Sequence, residues 1–182
     1  MKKTLLFAAL LCGALAMPAQ AGVYFGLKGG LEDIQVKDKK ADLREFESDL
    51  VGSVFVGYHR SFFRFDLEYT YHPERKYADK TLKMTNHTGV ANLYFEPPVK
   101  SFLKPYIGAG AGINYHDTEV GDESDSNTTF AWSASAGIGL EVSDHVFLDL
   151  GYRYMDMGKA KIDGEKIKTR SQQGYIGLRF EY

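Results

Sequence analysis

Residues 62–72 read FFRFDLEYTYH, a strict alternation of apolar and polar side chains. Phe63, Phe65, Leu67, Tyr69 and Tyr71 fall on one side, and Arg64, Asp66, Glu68, Thr70 and His72 on the other. A period of two places successive residues on opposite faces of a β-strand, and an amphipathic helix cannot use it. The pattern recurs. Residues 22–31 set Val23, Phe25 and Leu27 against Tyr24, Gly26 and Lys28. Residues 105–116 set Ile107, Ala109, Ala111, Ile113 and Tyr115 against Tyr106, Gly108, Gly110, Gly112 and Asn114. Residues 128–141 set Phe130, Trp132, Ala134, Ala136, Ile138 and Leu140 against Thr129, Ser133, Ser135, Gly137 and Glu141. Residues 145–155 set Val146, Leu148, Leu150, Tyr152 and Tyr154 against Asp149, Gly151 and Arg153. The last stretch sets Ile176, Leu178, Phe180 and Tyr182 against Tyr175, Gly177, Arg179 and Glu181. Residues 50–59 and 84–95 alternate less cleanly, and the pattern leaves their inward faces open.

The chain is therefore predicted to be all-β, with about eight strands of roughly ten residues, the length a tilted strand needs to cross a bilayer. The connections also alternate. Residues 32–49, 73–83, 117–127 and 158–169 are long and charged; 59–61, 96–104 (with Pro97-Pro98) and 142–144 are short or rich in turn formers. Long connections at one end and short turns at the other are the habit of outer-membrane barrels, where apolar residues face lipid and polar residues face the interior. A soluble ligand-binding barrel would reverse those faces. An even number of strands brings both ends of the barrel to the short-turn side.

Residues 1–21 read as an export signal. Lys2 and Lys3 precede an apolar stretch over 5–17, and Ala19-Gln20-Ala21 forms a small-x-small cleavage site after Ala21. The barrel domain is then 22–182. Cys12 is the only cysteine, and Leu11 before it does not suit lipidation, so the exported chain is expected to lack thiols. Removing the two lysines leaves 20 basic against 24 acidic residues, or −4, too mild for nucleic-acid binding.

The segment GYIGLRFEY closes the chain in mid-alternation. Tyr175-x-Gly177-x-x-Phe180-x-Tyr182 resembles the C-terminal assembly signal of Gram-negative outer-membrane proteins. LYFEPP followed by KPYIGAGAGINY, within 93–115, is similar to a central segment of opacity-like surface proteins. The exported chain thus resembles the small outer-membrane β-barrel family of opacity-type antigens, OmpX-like proteins and the OmpA transmembrane domain. The resemblance implies an eight-stranded antiparallel transmembrane barrel with outer-membrane lipid and lipopolysaccharide as surroundings. It implies insertion by the barrel-assembly machinery with periplasmic chaperones, and function as a monomer through surface loops in adhesion or host contact.

On this topology the interior carries Lys28, Arg64, Asp66, Glu68, Glu141, Asp149, Arg153, Arg179 and Glu181, four bases and five acids. Buried charges must be paired, so a structural ion-pair core is expected, with a small pore or transporter as the alternative. Gly108, Gly110, Gly112, Gly137 and Gly139 leave room there for long neighbours. Outside, DTEVGDESDSN (117–127) holds five acids and no base, whereas 158–170 is net basic. The acidic stretch lacks the spacing of a helix-loop-helix calcium site. Residues 37–40 and Arg75-Lys76 offer cations to lipopolysaccharide phosphates. A lipid A-modifying enzyme is a third reading, because His59-x-Ser61 has the spacing of a deacylase element; it falls in a short turn on the side away from that lipid. His72, His87, His116 and His145 are scattered singly, without metal-ligand spacing. No catalytic residue, cofactor or metal is expected.

Overall fold

The structure is a computed structural model describing residues 22–37, 48–77, 82–120, 123–162 and 165–182. The predicted signal, including Ala19 and Ala21, lies outside the described residues. Eight strands follow one another: β1 (Val23–Lys37), β2 (Ser48–Arg60), β3 (Phe63–Tyr77), β4 (Leu82–Phe95), β5 (Leu103–Val120), β6 (Glu123–Ser143), β7 (Val146–Ile162) and β8 (Glu165–Glu181). Each pairs antiparallel with its sequence neighbour, and β8 returns to β1 to close the barrel. Backbone bonds seal that seam at its base: the Gly22 amide donates to the Tyr182 carbonyl, and the Tyr182 amide to the Val23 carbonyl at 2.9 Å. Closure leaves no strand edge for lipid to solvate.

The register sets the size of the barrel. Following cross-strand partners from Val23 through Tyr58, Phe65, Leu93, Ala109, Ala134, Tyr154 and Gln172 returns to β1 at Asp33. One circuit thus climbs ten residues (33 − 23). With strands about 4.8 Å apart and about 3.3 Å rise per residue, that stagger tilts the strands roughly 40° and gives a backbone radius of about 8 Å. Side chains fill a barrel of that radius.

The alternation resolves into two faces. Outward lie Leu27, Phe65, Leu67, Leu93, Ile107, Leu150 and Ile176, all exposed. Inward lie buried polar and aromatic residues, among them Tyr24, Lys28, Arg64, Asp66, Glu68 and Arg179. The two strands whose faces the sequence left open turn Val51, Ser53 and Phe55, and Thr88, Val90, Asn92 and Tyr94, to the interior. Inward glycines lie beneath tyrosines of adjacent strands. A Cβ at Gly108 would sit 2.4 Å from the Tyr94 ring, and one at Gly137 would sit 2.4 Å from the Tyr106 hydroxyl.

The strands run further than the alternation does. β5 and β6 stay paired to Val120↔Glu123, and β7 and β8 to Ile162↔Glu165. The stretches 117–127 and 158–169, expected as loops, are therefore mostly strand. Once an antiparallel register is set, backbone hydrogen bonds continue it whatever the side chains are. Hydrophobic alternation ends where lipid ends, because water accepts polar residues on both faces.

Leu67, exposed at mid-height of the outer wall, tests which face meets lipid. Leu67→Arg should cost about 2–4 kcal/mol of stability in a bilayer, read as a lower denaturant midpoint for the barrel refolded in lipid vesicles.

Candidate functional site: the polar interior

The interior side chains sort into three tiers along the barrel axis. The tier nearest the short turns centres on Arg64 and Arg179. Arg64 Nε lies 3.2 Å from Glu96 Oε2, and its Nη1 lies 3.5 Å from Asp149 Oδ2. Arg179 Nε donates to Asp149 Oδ2 at 3.2 Å, and its Nη1 to Glu181 Oε2 at 2.6 Å. Glu181 in turn meets His59 Nδ1. The Arg64 guanidinium lies against Tyr94 and Tyr106, 4.9 and 4.8 Å from the ring centroids.

The middle tier is built around Glu68. Arg153 forks onto it with bonds of 2.7 and 2.6 Å, and Lys28 Nζ adds a third at 2.8 Å. Paired donors on one carboxylate are the strong form of this contact. Asp66 beside it accepts from Asn92 Nδ2 at 2.8 Å and from the Tyr24 hydroxyl at 3.2 Å. Lys28 Nζ also sits 4.5 Å from the Phe55 ring centroid, so the cation is shared between a carboxylate and a π face.

The outer tier is less charged. His72 bridges Glu32 Oε2 at 2.8 Å through Nδ1 and the Thr88 hydroxyl at 3.1 Å through Nε2. The Ser171 hydroxyl donates to Glu32, and that of Thr88 to Asn114 Oδ1 at 3.0 Å. All five residues are buried.

Of the interior charges named from the sequence, Lys28, Arg64, Asp66, Glu68, Asp149, Arg153 and Arg179 are buried, and Glu181 is half-buried at the lower end. Glu141 departs from the expectation. It is exposed at the rim, 3.3 Å from Lys104, where β6 bulges between Glu141 and Ser143 into the short turn. At a strand end the inward parity no longer implies enclosure. Sequence reasoning placed Glu96 in a turn, yet its side chain folds back under the barrel to reach Arg64; the signal was the continued alternation Asn92, Tyr94, Glu96. Glu32 and His72 escaped as a pair because their strands are read separately in sequence. His59 does not face the Ser61 hydroxyl: its ring meets Glu181 and, at 3.2 Å, the Ser61 carbonyl. Phe180 and Tyr182 of the terminal segment lie on the outer wall, stacked with Phe25, while Tyr175 and Gly177 face inward.

Comparison with known proteins agrees with this architecture. The family described as outer membrane protein beta-barrel domain matches residues 5–180. Curated relatives are 28–34% identical, and the matched region spans only about a third of their length, 32–37%. One is the opacity protein opA52 of Neisseria gonorrhoeae, 28% identical over 46% of this chain and 35% of its own. The crystal structure of Neisserial surface protein A has the same fold, with TM-score 0.72 and 20% identity over 89% of this chain and 98% of that one. Ail, the attachment invasion locus protein of Yersinia pestis, follows with TM-score 0.52 and 15% identity over 88% and 100% of the two chains.

Removing Glu68 would strand two buried cations. Glu68→Gln should lower stability by about 3–5 kcal/mol, measured by denaturant unfolding of the refolded barrel. Adding Arg153→Met should recover part of that loss, because the second change removes one uncompensated charge.

Proposed function

The chain belongs to the outer membrane protein beta-barrel domain family, and from that premise we propose a non-enzymatic barrel of the outer membrane whose work is done at its extracellular surface, in adhesion or contact with a host or neighbour. The observation that carries this reading is the filled interior. Three stacked tiers of bonded side chains occupy an eight-stranded barrel, and the central one closes on Glu68 from two sides. Such a core favours a rigid pedestal over a conduit. The paired strands rising beyond the apolar band, β5–β6 and β7–β8 above all, are what that pedestal holds up. Names borne by similar proteins, an opacity protein, a surface protein and an attachment invasion protein, support the same direction. Tyr175, Gly177, Phe180 and Tyr182 serve assembly on this reading, with Phe180 and Tyr182 on the outer wall where an insertion machinery can meet them.

Two measurements test it. The refolded barrel in a planar bilayer should be electrically silent; discrete, salt-dependent conductance steps would instead make the interior charges selectivity residues of a pore. Cells displaying a barrel trimmed of residues 117–127 should lose attachment to epithelial monolayers while still inserting the protein, and unchanged attachment would remove that hairpin from the function.

A further inference from the structure

The outer wall carries an apolar groove. Two rows of outward side chains run side by side across β1–β5, at right angles to the strands. The lower row follows the register from Phe25 through Leu67 to Ala111. The upper row lies two residues nearer the extracellular end of each strand and runs from Leu27 through Tyr69 to Ile113. Between them the groove has a volume of about 610 Å³. Rings close both ends. On β6 the register carries the two rows to the exposed Trp132 and Phe130, and at the lower end Phe25 stacks on Phe180 with ring centroids 5.4 Å apart.

The dimensions select an occupant. Residues two apart on a strand are separated by about 7 Å. Carbon atoms pack best at about 3.5–4 Å, so one hydrocarbon chain lying midway touches both rows. Four inter-strand steps of about 4.8 Å give the groove a length of roughly 19 Å. Because the strands tilt roughly 40°, a line across them stands roughly 50° from the barrel axis. The walls are highest in the lower half, where Leu27 and Leu67 are both exposed. They fall away in the upper half, where the rows shrink to Ala91, Ala111 and Gly89. A Cβ at Gly89 would meet nothing within 4 Å. Gly89 is two residues and one inter-strand step above Leu67, or about 8 Å, which places the open half of the groove in the outer leaflet. Tyr69 is the polar side chain of the two rows, and its hydroxyl meets His87 Nδ1 at 2.6 Å.

We propose that this groove holds a single acyl chain of an outer-leaflet lipid, laid obliquely across β1–β5 and entering beside Gly89 and Ile113. The groove is continuous with the lipid-facing wall, so hydrocarbon is what covers it. Lipid tails are as apolar as leucine, and no hydrophobic force draws one to the wall. Retention comes from packing instead. A chain in the groove touches carbon on both sides and beneath, and an unfilled groove would forfeit those contacts. The proposal rests on the outer-membrane location and not on the adhesive role, which attachment tests separately.

The test extracts the full barrel from outer membranes in mild detergent and weighs it, with whatever lipid it keeps, by native mass spectrometry. Folding of every variant is checked by the mobility shift of a closed barrel on unheated gels. The parent should keep one lipid, and its mass should be that of the outer-leaflet lipopolysaccharide. Gly89→Leu combined with Ala111→Leu fills the open half of the groove and removes no charge. The retained fraction should then fall about tenfold, the loss of ten or so weak carbon contacts. Ala134→Leu with Ala136→Leu adds the same bulk to the exposed wall of β6, outside the groove, and should leave retention as in the parent. If the filled variant does not fold, Ala91→Leu alone should still lower retention about threefold. Equal retention by the folded groove variants and the parent would overturn the proposal, as would a parent that keeps no lipid. A retained phospholipid would give the groove to the inner leaflet, and a pair of barrels separated by Gly89→Leu would make it a contact between copies; either result also overturns it.

Discussion

Lipid offers no hydrogen bonds, and every other feature of this barrel follows from that constraint. A strand that crosses a bilayer must find partners on both sides, so eight strands can persist only if the last returns to the first. The β1–β8 seam is therefore as continuous as any other, from Tyr24↔Glu181 to Lys37↔Lys168. Closing the ring with a ten-residue stagger fixes the tilt and the radius together. The radius leaves an interior that side chains fill, and the outward face is left to hydrocarbon.

Enclosure then dictates the chemistry of the lumen. Polar residues forced inward by a period of two lose bulk water and must satisfy one another. Glu68 does so with Arg153 and Lys28, and Asp149 with Arg64 and Arg179. Glycines make this crowding possible. Tyr94 and Tyr106 lie across Gly108 and Gly137 on adjacent strands, and their rings line the path of the Arg64 guanidinium. The lumen thus holds a polar core of mutually bonded side chains.

Above the membrane the constraint relaxes and the strands acquire a different use. Backbone pairing continues through β5–β6 and β7–β8 although the apolar alternation has ended. Neither face is compelled to be apolar there, so each face is free to carry charge. The bulge at Gly158 belongs to this region: the β7–β8 register shifts between Asp156 and Lys159 while the pairing below it continues unbroken.

Much of this was legible in the chain itself. Periodicity decided the strand number, the antiparallel order and the faces of six strands, because parity is a local property of a pleated backbone. It failed where parity is cleanly local no longer. Glu141 is inward by count but sits past the end of enclosure. The pairing of charges was not legible at all. Glu68 meets Lys28 across 40 residues and Arg153 across 85, and Glu32 meets Ser171 across 139. Those meetings depend on the stagger accumulated around the closed ring, a quantity no single strand contains. The sequence by itself determined which residues face lipid and which face inward; the tertiary structure decided which of the inward ones touch, because register is set only when the last strand finds the first.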